Sequence, residues 1–534
     1  MAQRRLKLIG WGYEDQQMTA DETAMVMQRL IERYGPDLDR RKTPAEDQIE
    51  LHRPRLEVPA ALAAFTGAGK RDRLMHTYGK AYPDNVRAFE RNFAHAPDLV
   101  AYVRGEADID AVFDWAAGAN VAVIPFGGGT SVVGGVEPDV GAGYNGSLSL
   151  DLTRLDKVLE VDKVSRAARI QAGVRVPELE AQLKPTGLTL RHYPQSFEMA
   201  TLGGMIATRS GGHFATLYTH IDDFVESLRT VTPRGVIESR RLPGSGAGPS
   251  PDRLMIGAEG ALGVITEAWM RLQARPSFRA GTAVSFGDFY RAADAVRVIC
   301  QAALYPANVR LLDPLEALNN GFGDGREAVV VLGFEGADHP LEAWLGRALE
   351  ICRDYGGRYD RELAESGGGH RAGAAGAWRN AFIRMPFYRV LMLEHGIVGD
   401  TFETSITWER FRAFHDTVKA ATERAIVEAT GRPGSVSCRF THSYPDGPAP
   451  YFTFQARGRH GALIEQWRQI KSAALDAVIE GGGTVTHHHA VGRTHMPWYK
   501  RQRPELFAEA LAGAKERLDP HGILNPGVLL PAPR

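Results

Sequence analysis

The chain of 534 residues is 44% hydrophobic and 24% charged, with a formal net charge of −1, and its length allows two or three domains with large cores. This balanced charge gives no support for a nucleic-acid partner, because nucleic-acid-binding proteins usually carry a basic excess. We find neither a run of about 18 apolar residues nor a secretory or peroxisomal signal, so we expect a cytoplasmic protein without a membrane-spanning helix.

Residues 1–94 are predicted as a helical N-terminal segment in which helical and proline-rich pieces alternate. Thr19 can cap an amphipathic helix whose apolar positions run from Met25 to Ile31.

Between 95 and 275, helices and strands alternate, which predicts an α+β domain. Its predicted elements are helices over 108–117 and 177–183 and strands beginning at Val121 and over 148–152, 168–173 and 224–231.

The region 276–480 has longer helices between strands, an order that fits an antiparallel sheet covered by helices. A glycine-rich segment over 365–376 interrupts it and is predicted to be a surface loop. The C-terminal segment, 481–534, is predicted to contain a short histidine-bearing strand and a helix over 505–518. The predicted elements of 276–480 are helices over 289–303 and 340–355 and strands over 328–332 and 451–454.

The clearest motif is a glycine loop directly after the predicted strand at Val121. Glycines permit positive φ and close backbone approach, and successive exposed N–H groups in such a turn bind anions. The loop therefore indicates a pyrophosphate site, with an ordinary tight turn as the alternative. It reads Pro125-Phe126-Gly127-Gly128-Gly129-Thr130-Ser131-Val132-Val133-Gly134-Gly135.

Two further segments share this small-residue character. Residues 194–212 are rich in hydroxyl groups and glycine, so their backbone can approach a ligand closely. Residues 257–266 form a glycine turn that leads into a β-branched strand. Each segment alone could be an ordinary turn, but three of them in one α+β domain, in this order, are specific.

Three consecutive histidines, His487, His488 and His489, are the most distinctive feature of the C-terminal segment. On a strand, the first and third would project from one face and the second from the other. Two imidazoles in one pocket could bind an anionic headgroup or transfer protons near neutral pH. We predict no metal site, because no nearby Asp, Glu or Cys completes an obvious ligand set. A surface strand or loop is the alternative.

Together these segments resemble the FAD-binding domain of the vanillyl-alcohol-oxidase-type flavoproteins. Six further motifs narrow this resemblance. They are Thr208-Arg209-Ser210-Gly211-Gly212, Val231-Thr232-Pro233-Arg234-Gly235, Phe402-Glu403-Thr404-Ser405, Cys438-Arg439-Phe440-Thr441-His442, His487-His488-His489-Ala490-Val491-Gly492 and Leu518-Asp519-Pro520-His521-Gly522-Ile523-Leu524-Asn525-Pro526-Gly527.

With these motifs, the chain from about residue 80 to the end resembles the alkyldihydroxyacetonephosphate synthases within that family. The resemblance implies an α+β fold with a two-subdomain PCMH-type FAD-binding domain and an α+β cap domain. It also implies noncovalent FAD, a lipid-like substrate and a homodimer, and it leaves peripheral membrane contact open.

The resemblance also assigns roles to single residues. It implies that Arg389 binds substrate and that Tyr451, Arg310 and the histidine triplet are catalytic. A tyrosine whose pKa is lowered could accept a proton from the substrate carbon. Gln195 and Ala261 depart from the residues that are usual in these synthases, without obviously preventing FAD binding. The implied FAD contacts are Pro125, Phe126, Gly127, Gly128, Gly129, Thr130 and Ser131, then Gln195, Ser196 and Thr201, then Thr208, Arg209, Ser210 and Gly211, and finally Glu259, Gly260, Ala261, Leu262, Gly263, Val264 and Ile265.

In that family, an acyl-dihydroxyacetone phosphate is deprotonated, adds to flavin N5, loses its fatty acid and accepts a fatty alcohol, with no net redox change. We expect the same transferase activity, which serves ether-lipid synthesis. The main alternative is an FAD-dependent D-2-hydroxy acid dehydrogenase for substrates such as lactate or glycolate. The usual Gly-His-x-Gly-Asp-Gly-Asn-x-His motif of that group is only partly matched over 441–451, where His442 is kept and the second histidine is replaced by tyrosine. A flavin-binding protein without turnover is the third alternative.

Overall fold

The computed structural model describes residues 4–218, 220–321, 323–360 and 373–532, and of 373–383 the backbone alone. The chain forms two compact units. Unit 1 contains Met1–Thr43, His213–Tyr218 and Arg275–His487, and unit 2 contains Pro44–Gly212, Thr219–Ala274 and His488–Arg534.

The strands of the described chain are numbered here in chain order. They are β1 (Thr66–Gly67), β2 (Leu99–Tyr102), β3 (Val121–Phe126), β4 (Gly146–Asp151), β5 (Val158–Asp162), β6 (Ala167–Gln171), β7 (Leu188–Thr189), β8 (Val225–Thr232), β9 (Gly235–Glu238), β10 (Val264–Arg271), β11 (Gln273–Ala274), β12 (Phe278–Phe286), β13 (Asn308–Leu312), β14 (Ala328–Gly336), β15 (Ile397–Glu403), β16 (Ser435–Ser443) and β17 (Pro448–Arg457).

The α-helices are numbered in the same way. They are α1 (Ala20–Tyr34), α2 (Lys70–Met75), α3 (Tyr82–Phe89), α4 (Glu106–Ala119), α5 (Val176–Leu183), α6 (Leu202–Ala207), α7 (Ala215–Tyr218), α8 (Ile221–Phe224), α9 (Pro251–Met255), α10 (Phe289–Gln301), α11 (Pro314–Asn319), α12 (Glu342–Asp354), α13 (Gly373–Glu394), α14 (Trp408–Thr430), α15 (Leu463–Glu480), α16 (Met496–Gln502) and α17 (Glu505–Leu518).

Unit 2 contains a four-stranded sheet in the order β1-β2-β4-β3 and a five-stranded antiparallel sheet in the order β5-β6-β10-β8-β9. Strands β2, β4 and β3 are parallel, and α4 makes the crossover that parallel strands require. The apolar side chains of β3 are buried on both faces. Val121 and Val123 pack in the core that includes α4, whereas Ala122 and Ile124 pack in a separate cluster. This explains why β3 is a continuous apolar run rather than an alternating one.

Unit 1 is built on a six-stranded antiparallel sheet in the order β12-β14-β13-β16-β17-β15. Helices α14 and α15 pack against each other, α14 also against β17 and α15 also against β15. Aromatic residues fill this core, where Phe402 and Phe452 stack with ring centroids 4.9 Å apart. Helix α1 packs in a cluster with Ile397 of β15, and its N-terminus carries the predicted cap, because Thr19 and Glu22 form a capping box.

Most predicted elements are confirmed to within a few residues, including α1, α4, β3, α10 and α17. The predicted histidine-bearing strand is wrong, because residues 487–489 form bends and belong to no sheet of the described chain. The predicted loop over 365–376 lies outside the described residues up to 372, and residues 373–376 already belong to α13. The N-terminal segment is divided, with α1 in unit 1 and α2 and α3 in unit 2. None of the described helices has the length and apolarity to cross a membrane.

Candidate active site

The glycine loop after β3 lies directly against the second predicted segment. A Cβ atom on Gly128 would lie 2.0 Å from the carbonyl oxygen of Met199, and one on Gly127 would lie 2.2 Å from Oγ1 of Thr201. Side chains cannot approach so closely, so both positions require glycine. Thr201 itself caps α6 by accepting a hydrogen bond from the backbone N–H of Gly204.

The loop presents backbone amides that are not bonded to any other part of the described chain. Within the described part of the chain, no group accepts a hydrogen bond from the amides of residues 127–131. Backbone donors normally find an acceptor, and a run of such donors in a turn forms an anion-binding concavity. Gly129, with φ +62°, gives the loop the left-handed step that such concavities contain. The loop therefore fits the pyrophosphate group of a dinucleotide.

The turn at Glu259 and Gly260 adjoins the same strand end. Both residues have positive φ, and a Cβ atom on Gly260 would lie 2.7 Å from Cγ of Pro125. The backbone N–H of Glu259 donates to the carbonyl of Ala207 at 3.0 Å. From this turn the chain enters β10, and Ala261 to Ile265 are buried. The third predicted segment thus contacts the first and adjoins the end of α6.

The segment after α6 completes the arrangement in unit 2. Arg209 has φ +53° and forms an ion pair with the buried Asp222 at 2.8 Å. Oγ of Ser210 lies 3.4 Å from Nε2 of His192, which is fully buried. Burial and nearby histidines lower the pKa of His192 to about 3, so this imidazole is neutral near pH 7. Sequence reasoning missed His192.

Unit 2 therefore brings together the four segments predicted to contact FAD. Gln195 and Ser196 are half-buried in the turn that precedes Met199, and Thr208 ends α6. The free loop amides and the positions that only glycine can occupy fit FAD. The contacts of individual side chains with the cofactor stay predictions.

In unit 1, Tyr451 lies buried on β17. Its hydroxyl donates to Oγ1 of Thr401 on the neighbouring strand β15 at 2.9 Å, and the guanidinium of Arg439 lies over its ring, 4.0 Å from the centroid. Burial raises the pKa of Tyr451, and the positive charge of Arg439 opposes this rise only in part. This environment therefore does not lower the pKa of Tyr451, because desolvation of the phenolate outweighs the nearby cation.

Arg310 lies buried on β13, close to a second guanidinium. Its Nη2 donates to Nδ1 of His213 at 3.3 Å. Burial, with the like charge of Arg439, lowers the pKa of Arg310 to about 9. Arg439 in turn forms an ion pair with the buried carboxylate of Glu316. Arg439 thus has a carboxylate partner, whereas Arg310 lies buried beside a like charge, so an anion such as a phosphate suits Arg310.

Arg389 lies on α13 and acts electrostatically on the buried Asp400 of β15. Burial works to raise the pKa of Asp400, but the positive charges of Lys471 and Arg389 hold this pKa below its ordinary value. Asp400 Oδ2 accepts hydrogen bonds from Nε1 of Trp467 at 2.8 Å and from Nζ of Lys471 at 3.3 Å. Asp400 directly precedes the partner of Tyr451 on β15. Arg389 therefore belongs to an ionic cluster at the strand that carries this partner.

The histidine triplet is split between the two units, since unit 1 ends at His487 and unit 2 resumes at His488. Nε2 of His487 lies 3.0 Å from the hydroxyl of Tyr444, and its ring centroid lies 5.3 Å from that of His442. The rings of His488 and His489 contact each other, with centroids 4.6 Å apart. The expected pairing of His487 with His489 relied on a strand, which this segment does not form.

Several partners of the predicted residues were not assigned a role from the sequence. Thr401 and Asp400 gave no signal, because isolated polar residues on a strand are usually unremarkable. Arg439, His442 and Glu403 stand in the motifs that carry the family resemblance, and that was the signal available.

Two family models match most of the chain. The model described as FAD binding domain matches residues 97–239, and the model described as FAD linked oxidases, C-terminal domain, matches residues 275–529. The chain is 30% identical to an alkyldihydroxyacetonephosphate synthase of Dictyostelium discoideum over 485 residues, covering 86% of this chain and 77% of that protein. FAD as the cofactor is thereby confirmed.

Solved structures agree with this likeness. An alkyldihydroxyacetonephosphate synthase superposes with a TM-score of 0.81 at 25% identity, covering 98% of both chains. p-Cresol methylhydroxylase superposes with a TM-score of 0.68 at 13% identity, covering 96% of this chain and 98% of that chain, a likeness of fold alone. The predicted α+β fold of the PCMH type is therefore confirmed.

Proposed function

Because the chain belongs to the alkyldihydroxyacetonephosphate synthase family, we propose that it exchanges the acyl group of an acyl-dihydroxyacetone phosphate for a fatty alcohol. The observation that carries this proposal is the buried group of Tyr451, Arg439 and Arg310 in unit 1, where two cations accompany a phenol. A phosphorylated ketone substrate needs cations for its phosphate and a group that moves a proton at carbon. This group supplies both.

Arginine suits the phosphate because its planar fork can donate two parallel hydrogen bonds. Arg310 and Arg389 are the proposed phosphate ligands. Because the pKa of Tyr451 is raised, its hydroxyl is protonated in most molecules near neutral pH. The proton-accepting form is then a minor population that the charge of Arg439 stabilises.

FAD, when bound, supplies an electrophilic ring to the reaction, and the proposed cradle for it is the loop of residues 127–131 with the segments around Thr201, Ser210 and Gly260. The residues of unit 1 bind the phosphate and take the proton from the substrate carbon. The fatty acid leaves and the fatty alcohol takes its place, so no electrons are consumed. The proposed histidine role is binding the headgroup or moving protons. A lipid-like substrate follows from this proposal, whereas a homodimer and peripheral membrane contact stay predictions.

The test is an anaerobic mixing experiment with the purified yellow protein. Palmitoyl-dihydroxyacetone phosphate should bleach the flavin spectrum and release palmitate, and added hexadecanol should yield the alkyl product. D-Lactate is the matched probe for the alternative. Bleaching by D-lactate alone, reversed by an electron acceptor, would mean that the protein is a hydroxy acid dehydrogenase.

A further inference from the structure

Two buried glutamates each hold one side of the segment that carries the histidine triplet. Glu403, at the end of β15, is 3% exposed. Its Oε1 accepts a hydrogen bond from Oγ1 of Thr486, and its Oε2 accepts one from the backbone N–H of His487, both at 2.6 Å. Both oxygens of this carboxylate thus accept hydrogen bonds from residues at the start of the triplet segment.

The same part of unit 1 is fixed further by the neighbours of Glu403. Oγ1 of Thr404 donates to the carbonyl of Thr484 at 2.7 Å, and the backbone N–H of Thr484 donates to the carbonyl of Ser405 at 3.3 Å. A Cβ atom on Gly483 would lie 2.7 Å from Oγ1 of Thr404. The Phe-Glu-Thr-Ser motif is therefore the support of residues 483–487.

In unit 2, Glu259 holds the backbone that follows the triplet. It is 8% exposed, and its two carboxylate oxygens accept the backbone N–H groups of Val491 and Gly492, each at 2.9 Å. The backbone of Glu259 is itself fixed, since its carbonyl accepts from Nδ2 of Asn525 at 2.7 Å. Gly492 also lies where a Cβ atom would be 2.3 Å from the carbonyl oxygen of Val133, at the far end of the glycine loop.

We propose that Glu403 and Glu259 are positioning residues, which fix the backbone on either side of the histidine triplet and so set where its imidazoles lie. The reaction that the histidines serve is taken from the proposed function, whereas the positioning of the segment does not depend on it. A segment without regular structure has no strand ladder to hold it, so side-chain acceptors add to the few single backbone hydrogen bonds that fix its position. A charged acceptor that serves two donors is stronger than a neutral one and fixes direction as well. Sequence reasoning placed Glu259 among the cofactor contacts, whereas its carboxylate is turned to Val491 and Gly492.

The test compares Glu403→Gln and Glu259→Gln, because an amide keeps the size of the side chain but offers one acceptor oxygen instead of two. Glu267→Gln is the matched control in unit 2, since Glu267 on β10 pairs with Arg169 on β6 and has no hydrogen bond to the triplet segment in the described chain. All measurements are made on FAD-loaded protein at pH 8, above the pKa of about 7 to which burial raises Glu259.

Amide hydrogen exchange followed by mass spectrometry gives the first readout. Glu403→Gln should speed exchange at His487 and leave Val491 and Gly492 unchanged, and Glu259→Gln should do the opposite. Glu267→Gln should change neither. The proposal would be overturned, whatever reaction the protein performs, if amide exchange were accelerated equally at all these residues or in neither glutamine variant.

Kinetics give the second readout, with whichever substrate bleaches the flavin of the unaltered protein. Each Gln variant should keep its FAD content and its KM, while kcat falls by about tenfold, the effect of one charged hydrogen bond. Glu403→Asp and Glu259→Asp, which restore the carboxylate, should recover part of kcat. Loss of FAD in proportion to activity would assign Glu259 to cofactor binding instead. If D-lactate rather than the acyl ketone is the substrate, the proposed function fails while this comparison still stands.

Discussion

At the scale of single residues, the proton of Tyr451 is subject to opposing influences. Burial favours the neutral phenol, while the Arg439 guanidinium over the ring favours the phenolate. Burial is the larger of the two, so the pKa lies above the ordinary value. A base of this kind is present in small amount near neutral pH, and its amount grows as the pH rises.

The rate of flavin bleaching by palmitoyl-dihydroxyacetone phosphate should therefore rise by up to about tenfold per pH unit across the neutral range, because below its pKa the phenolate fraction rises in that proportion. Tyr451→Phe should lower the rate by about 10² to 10⁴, the range that general base catalysis contributes. Stopped-flow absorbance measures both. Tyr34→Phe is the control, since Tyr34 is also buried in unit 1 but is the last residue of α1 and packs near Ile397. A flat profile, or an active Tyr451→Phe variant, would exclude Tyr451 as the base.

His192 leads to a second prediction about pH, this time for stability. Its pKa is about 3 in the folded protein and 6.5 in the unfolded chain, so the unfolded chain binds the extra proton. The stability that the neutral imidazole contributes is complete above pH 6.5 and is lost as the pH falls from there towards 3. Between pH 7 and pH 5 the loss of folding stability amounts to about 2 kcal/mol. Urea unfolding of His192→Gln should show a correspondingly smaller loss between these pH values, and an equal loss in both proteins would contradict the prediction.

At the scale of elements, strand ends and the turns after them build the cofactor cradle. Strand β3 delivers the glycine loop, α6 begins at the segment that packs on it, and the turn before β10 adjoins Pro125. The parallel strands place their carboxyl ends at one edge of the sheet, so loops that follow them meet there. The contacts between these loops leave no room for a side chain at Gly127 or Gly128.

Gly128→Ala should therefore weaken FAD binding by at least about tenfold, because the added methyl group must displace the carbonyl of Met199 and with it the loop amides. The measurement is the flavin fluorescence of apoprotein titrated with FAD. Gly118→Ala on α4 is the matched control, since a Cβ atom there has open space around it. That change should leave the affinity unaltered and favour the helix by about 0.5–1 kcal/mol. Equal affinity for FAD in both variants would show that the loop does not hold the cofactor.

At the scale of the whole molecule, residues far apart in the chain complete each unit. The C-terminal segment returns to unit 2, where Leu524 bridges to Val123 of β3. Nδ2 of Asn525 donates to the carbonyls of Gly135 and Glu259, at 3.1 and 2.7 Å. One side chain near the C-terminus thus joins the glycine loop to the turn before β10, and the cradle requires the complete unit.

FAD should consequently stabilise unit 2 as a whole. At a free concentration one hundred times the dissociation constant, linkage predicts about 2.7 kcal/mol of added stability. Hydrogen exchange should slow most at the amides of residues 127–131, which the described chain leaves without acceptors. Riboflavin, which lacks the pyrophosphate, is the control and should not protect these amides. Equal protection by both ligands would place the pyrophosphate elsewhere.

The sequence by itself determined the α+β class, the elements with strong periodicity and the glycine segments, because these depend on local chain geometry. Helix α17 and strand β3 follow from apolar spacing, and the loop at 127–131 follows from the conformations that only glycine permits. The family motifs added FAD. These features need few contacts from distant residues.

Only the tertiary structure decided the surroundings of the functional side chains. The raised pKa of Tyr451 depends on burial and on a guanidinium from another strand, and neither is visible in a tyrosine on an apolar run. The histidine triplet was predicted on a strand yet forms bends, and the hydrogen bonds from His487 to Glu403 and from Val491 to Glu259 are not readable from the local sequence. Desolvation and long-range hydrogen bonds depend on which residues the fold brings together, and that is the information a local pattern lacks.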